Sequence, residues 1–209
     1  MGTSAETSGA LQRPRRPRSA RAHDAVLTAT SSLMREGGIP AITIDRIAGR
    51  SGVSTATIYK HWPCKAAIIA EAFGRDTAQA VALPDTGRPV DDLVAHAADL
   101  LTYYTSAEGA LFAQLRAACA TEPHAAPYFH EFFLMPRRAA LKPCWDRAAE
   151  AGLTRPDVDA ATATDVLMGA LVFRLLSGHG SLAPHEVRKL VEYALHGLLA
   201  PAPPMQNKP

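Results

Sequence analysis

The chain has 209 residues, 47% of them apolar, which supports an ordinary globular core of one domain, or of a small domain joined to a medium one. Net charge is only +2, yet residues 1–65 hold ten Lys/Arg against four Asp/Glu while residues 66–209 hold twelve against sixteen, so a basic end is joined to a mildly acidic body. Three cysteines, Cys64, Cys119 and Cys144, none in a C-x-x-C pair, argue against a disulfide framework or a zinc site and fit the reducing cytoplasm.

No secretory leader is expected, because His23, Asp24 and several Thr and Ser interrupt the stretch after the basic N-terminus. No run of about 18 apolar residues is read, so no membrane span is expected. Residues 1–18 are expected to form a disordered basic arm, since Arg13 to Arg18 places two prolines among four arginines. A first helix is expected from Ser19 to about Glu36, with Ala22, Val26, Ala29 and Leu33 on one face and Gly37-Gly38 as its stop. Two short helices follow near 44–50 and 55–61, and Pro63 suits the start of a fourth that runs to about Leu83. Leu93, Val94, Ala97, Leu100, Leu101 and Tyr104 mark a fifth helix, and Leu111, Leu115, Ala118 and Cys119 a sixth. Residues 125–151 read as helical, with Pro136 and Pro143 expected to bend or break them. Asp157 is read as the cap of a helix to about Leu176, and Pro184 opens a last one to about Leu199, before a frayed tail over 201–209. Nothing alternates with period two, and alanine occurs 40 times, so the fold class is all-α with about nine helices.

The informative stretch runs from Thr43 to Lys65. Thr43 is a good N-cap for a short helix that carries Ile44, Ile47 and Ala48 inward. Gly52 stands where a tight turn between helices needs positive φ, and Val53 plugs that turn into the core. Ser54 caps a second short helix, with Ile58 and Trp62 for the core and Thr55, Ala56, Thr57, Tyr59, Lys60 and His61 left largely outside. This is a helix-turn-helix, whose second helix enters the major groove of DNA with small residues at its leading end. The hydroxyls at its start suit phosphate oxygens.

At these residues the chain resembles the TetR family. The pattern is carried by Ile47-Ala48, Gly52-Val53-Ser54, Thr57-Ile58-Tyr59, His61-Trp62 and Lys65, within a likeness over about residues 22–75. Trp62 stands where the family usually has Phe or Tyr, and Arg50-Ser51 where Ala often precedes the glycine. The resemblance implies phosphate or groove contacts from Thr43, Thr57, Tyr59, His61 and Lys65, and specificity positions at Thr55, Ala56 and Lys60. Lys60 suits guanine O6/N7 and the Thr55 methyl suits thymine. A DNA-binding domain is placed at residues 19–65, with Arg16 and Arg18 of the arm as a second contact in the adjacent minor groove. A helical ligand-binding and dimerisation domain is placed at 66–200.

The resemblance further implies a homodimer on a palindromic operator, an unidentified small-molecule ligand, and pairing through the last two helices. Interface candidates are Val166, Ala170, Phe173, Val187 and Val191. Candidate pocket residues are Tyr103, Tyr104, Phe112, Leu115, Arg116, Cys119, Phe129, Phe133, Trp145, Met168 and Phe173. Arg116 and Arg174 each interrupt an apolar stripe, and a buried arginine needs a partner, either an acidic ligand or an internal one. Of the cysteines, Cys64 beside Lys65 is the better candidate for a redox sensor. No cofactor is called for. A repressor released from DNA by a ligand is the leading expectation, and an architectural or activating DNA binder without an inducer is the alternative. An enzyme is remote, since no Gly-rich phosphate loop, nucleophile elbow or acid/base pair is present.

Overall fold

The computed structural model describes residues 17–107, 109–121 and 125–196, so the arm with Arg16, and the tail, lie outside the described residues. Nine helices and no strand occur among them. α1 spans Pro17–Gly37, α2 Ile44–Ser51, α3 Thr55–His61, α4 Lys65–Ala80, α5 Pro89–Thr105 and α6 Leu111–Thr121. α7 is one unbroken run of Ala125–Phe129, a π-helical stretch over His130–Leu134, and Met135–Glu150. α8 spans Ala160–Ser177 and α9 Pro184–His196.

Several boundaries differ from expectation for local reasons. α1 begins at Pro17, not Ser19, so Arg18 belongs to its first turn and not to an arm; a proline fits there because the first N–H groups of a helix have no intrahelical acceptor. α4 begins at Lys65 because Cys64, in extended conformation with φ −150°, is its N-cap and Pro63 lies before the cap. It stops at Ala80 because Val81 turns extended, φ −128°, and buries its side chain. Neither Pro136 nor Pro143 ends α7. Pro136 is the second residue after the π-helical stretch, at the start of the α-helical part, and Pro143 sits within a helix that continues through Glu150. The cap of α8 is Asp159, not Asp157: the Thr162 N–H donates to Asp159 Oδ1 at 2.7 Å, while Asp157 is bound by the Arg155 guanidinium at 2.6 and 3.0 Å.

The main core is continuous from α1 to α7. It joins Val26, Leu33, Ile47, Ile58 and Trp62 to Phe73, Phe112, Leu115 and Phe133. α4 carries this continuity, with Ala66, Ala67, Ile68, Ile69, Ala70, Ala72 and Phe73 all buried. Five consecutive α4 residues, Ala66 to Ala70, are buried on every face, so α1–α3 have no core independent of the body. A second cluster, Ala97, Leu101, Leu167, Leu171, Val187 and Val191, binds α5, α8 and α9 together. α8 is long and apolar enough, by length and composition alone, to cross a membrane, although Asp165 and Arg174 interrupt any continuous apolar run. In the fold, Leu167 and Leu171 are buried against α5 and α9, while Val166, Ala170, Phe173 and Leu176 form an exposed stripe at spacings of three and four.

Candidate nucleic-acid interface

The α2–turn–α3 unit is built by caps. Thr43 Oγ1 accepts the Arg46 N–H at 3.2 Å to start α2, and Gly52, in the left-handed region at φ 69°, ends it by donating its N–H to Ala48 O at 2.9 Å. Any side chain at Gly52 would be strained by that φ. Ser54 Oγ accepts the Thr57 N–H at 3.3 Å and lies 2.9 Å from Thr57 Oγ1, which starts α3. Val53 packs, half-buried, on the main core.

α3 is oriented by its buried residues. Ile58 is fully buried and Trp62 nearly so, and they fix one face of the helix on the core. Ser54, Thr55, Ala56, Tyr59 and Lys60 therefore point to solvent, and Tyr59 is 54% exposed although it is a large aromatic. Thr43 is exposed at the cap of α2. Thr57, His61 and Lys65 are half-buried at the flanks, and the Thr57 hydroxyl is shared with the Ser54 cap. α2 adds two exposed arginines: Arg50 pairs with Glu36 of α1, and Arg46 donates to Ala41 O.

The anchor of α3 includes residues that sequence reasoning missed. Trp62 Nε1 donates to Glu71 Oε2 of α4 at 2.7 Å. His23 of α1 stacks on the indole at 4.7 Å between ring centres, and its Nε2 lies 3.0 Å from Glu71 Oε1. His61 completes the group, with its ring 5.6 Å from Trp62 and 6.3 Å from His23. One carboxylate thus ties α1, α3 and α4 at a single point. The available signal was the departure at Trp62 itself, since a buried indole N–H requires an acceptor that Phe would not.

A short, exposed, rigidly capped helix behind a left-handed glycine turn is the geometry of a DNA recognition helix. Residues 26–72 match the family model "Bacterial regulatory proteins, tetR family", and residues 83–194 match "Tetracyclin repressor-like, C-terminal domain". The chain belongs to the TetR family. It is a DNA-binding transcriptional regulator of that family. It is 36% identical over 185 residues to an HTH-type transcriptional regulator of Bacillus subtilis, YdeS, covering 88% of this chain and 93% of that one. The similarity to the HTH-type regulator AqdR of Rhodococcus erythropolis is 25% over 181 residues, covering 83% and 85% of the two chains. Among solved structures, the TetR family transcription regulator SCO0332 superimposes with TM-score 0.78 at 31% identity, over 86% of this chain and all of that one. FadR of Thermus thermophilus, solved with lauroyl-CoA, shares the fold at TM-score 0.63 and 18% identity, over 89% of this chain and 100% of its own.

The TetR body places the remaining sequence candidates in three groups. Tyr103, Tyr104, Phe112, Leu115, Cys119, Phe129 and Phe133 belong to the main core around Phe73, with Tyr104 and Phe112 stacked at 4.7 Å and Phe129 and Phe133 at 4.8 Å. Burial pushes the Tyr104 hydroxyl up to about 12, so it stays protonated. Arg116 lies over the Phe129 ring at 4.5 Å, and Met168 packs between the two clusters. Trp145 instead lines a separate cavity of about 370 Å³ with Leu93, Val158, Val166 and Leu195, at the far end of α5, α7, α8 and α9. Phe173, expected in the pocket, is 64% exposed on the outer face of α8. Val187 and Val191, expected at a dimer interface, are buried within the protomer because α9 turns them onto α5 and α8. Arg174 donates to Ser181 O at 3.1 Å and so ties the α8–α9 loop. Cys119 and Cys144 are buried; desolvation raises the Cys144 thiol, which donates to Pro89 O at 3.3 Å, and both facts make it inert.

Proposed function

We propose that this TetR regulator is a homodimeric repressor, acting in the cytoplasm, that is released from a palindromic operator by a small organic ligand. The observation that carries the DNA half is the outward face of α3. Thr55, Ala56, Tyr59 and Lys60 are exposed on it while Ile58 and Trp62 hold the helix immobile. On this reading Thr55, Ala56 and Lys60 meet base edges. Thr43, Ser54, Thr57, Tyr59, His61 and Lys65 meet phosphates, and Arg16 and Arg18 add contacts from the N-terminus.

The dimer half rests on the α8 stripe. Val166, Phe173 and Leu176, together with Tyr193 of α9, are large exposed hydrophobics on adjacent helices, and such a patch is disfavoured in a monomer. A dimer about a two-fold axis sets two recognition helices about 34 Å apart, one turn of DNA. Ligand binding in the body shifts the population toward a spacing that no longer fits. That FadR, a repressor of the same fold, is in complex with lauroyl-CoA supports a ligand-responsive reading.

Selection of bound fragments from a random DNA pool tests the proposal. A palindromic consensus is expected, and Tyr59→Ala should weaken binding to all sequences alike. An asymmetric site bound by a monomer would overturn the dimer, and a Tyr59→Ala protein that footprints like the parent would overturn the α3 assignment. An architectural or activating role without a ligand would show as DNA binding that no small molecule alters.

A further inference from the structure

The loop after α7 begins on Gly152, in the left-handed region at φ 70°. The Gly152 N–H donates to Ala149 O and the Leu153 N–H to Ala148 O, both at 2.9 Å. At such a helix end the residue after the glycine usually packs back on the last turn. Leu153 is instead 60% exposed, and it borders the cavity of about 370 Å³ beside Trp145. Val166 of α8, 51% exposed, lies in the same wall.

Below these two residues four helices meet without filling the space between them. Leu93 of α5 and Trp145 of α7 pack with Leu141 and Cys144, while Leu167 of α8 and Leu195 of α9 pack in the cluster of Leu171 and Val191. The cavity lies where these two clusters fail to merge, and its volume falls in the range of small-molecule sites, about 300–1,000 Å³. The rings at the centre of the body, by contrast, already use their faces on one another, with Tyr104 on Phe112 at 4.7 Å and Phe129 on Phe133 at 4.8 Å.

The polar groups of the cavity wall are matched internally. Trp145 Nε1 donates to Val158 O at 3.3 Å, two hydrogen bonds of 2.6 and 3.0 Å hold Arg155 to Asp157, and the Thr162 hydroxyl bonds to Asp159. No Lys, Asp or Glu lines the cavity among the described residues. A charged ligand would lose its hydration there and meet no free counter-charge, which is costly. The Thr154 hydroxyl, on a half-buried residue of the same wall, offers one hydrogen bond.

We propose that this cavity is the effector site, and that the effector is an uncharged ring compound bearing one hydroxyl or carbonyl. The Trp145 indole takes a flat ring by offset stacking, and Leu93, Val158, Leu167 and Leu195 enclose it. Leu153 closes over the occupant and gains the contact that it lacks at the end of α7. Val166 belongs both to this wall and to the exposed stripe of α8, so the occupant bears on the helix of the dimer contact. This inference rests on the ligand-responsive reading above, in which ligand shifts the spacing of the two recognition helices.

The chain has two tryptophans, so a proton–nitrogen correlation spectrum of the full chain holds two indole signals, and W145F identifies that of Trp145. The probes are β-naphthol, methyl β-naphthyl ketone and the charged β-naphthoate. The two neutral compounds should move the Trp145 signal more than that of Trp62, and naphthoate should bind roughly tenfold more weakly or worse. Ala163 is buried in the cavity wall, so A163L fills the space from α8. It should keep the parent's circular dichroism and lower naphthol affinity roughly ten- to hundredfold. If A163L does not fold, A194L from α9 decides: affinity weakened roughly tenfold supports the site, and unchanged affinity overturns it. No movement of the Trp145 signal with millimolar naphthol, a larger movement of Trp62, equal affinity for naphthoate, or unaltered binding in A163L would each overturn the proposal. Release of labelled operator DNA is measured separately. Neutral compounds that bind beside Trp145 without releasing DNA would sink the ligand-released repressor and leave the binding site standing. Neutral compounds that release DNA equally from parent and A163L would do the reverse.

Discussion

Glu71→Ala removes the carboxylate that joins three helices behind the recognition surface. Two groups lose their partner. The Trp62 indole N–H, 2.7 Å from Oε2, belongs to a residue only 1% exposed, so water does not replace its acceptor. A hydrogen bond to a charged acceptor contributes roughly 1.5–3 kcal/mol, and the lost His23 contact at 3.0 Å adds up to about 1 kcal/mol. The expected loss of stability is therefore about 2–4 kcal/mol. For a chain of this size that is a fall in Tm of roughly 4–16 °C. Glu71→Gln keeps one carbonyl acceptor and should cost about 1 kcal/mol. Because Trp62 is the C-cap of α3, Glu71→Ala should also weaken DNA binding without changing the preferred sequence. Urea denaturation and fluorescence anisotropy with labelled DNA read the two effects. A Glu71→Ala protein within about 0.5 kcal/mol of the parent, with unaltered DNA affinity, would refute the idea that this cluster sets the pose of α3.

Three further outcomes follow from the same structure. Lys60→Ala should relax base preference at one symmetric position of the selected site, at about 1–3 kcal/mol of discrimination, as read by competition between operator variants. Phe73→Ala should cost about 3–5 kcal/mol in denaturant unfolding, because that ring is 1% exposed and meets Tyr103, Tyr104, Phe112 and Phe133. His96 is buried and its pKa is lowered from 6.5, so the unfolded chain takes up its proton first as pH falls. Stability should be full above pH 6.5 and decline below it toward the folded-state pKa, and His96→Gln should flatten that decline in urea titrations at several pH values.

Much of the DNA-facing site was legible because it is local. Caps at Thr43 and Ser54, the left-handed turn at Gly52 and the spacing of Ile47, Ile58 and Trp62 all act within a few residues, so sequence order alone carries them. The same holds for the all-α class and for the number of helices, which follow from apolar periodicity and helix stops. Asp157 against Asp159 marks the limit of such local reading, since two nearby acids compete for one cap and only the backbone path chooses.

Contacts between distant helices were decided by packing. Helical periodicity says that Val187, Val191 and Phe173 lie on apolar faces, but not which apolar face turns inward; the first two went to the protomer core and the third to the surface. The aromatic residues of α5, α6 and α7 are apolar in sequence whether they line a pocket or stack on one another, and the chain stacks them around Phe73. Glu71 meets Trp62 and His23 only because α4 crosses both α1 and α3. Residue types and their spacing determined the helices and the DNA-reading motif, whereas the partner of each buried charge depended on how those helices crossed.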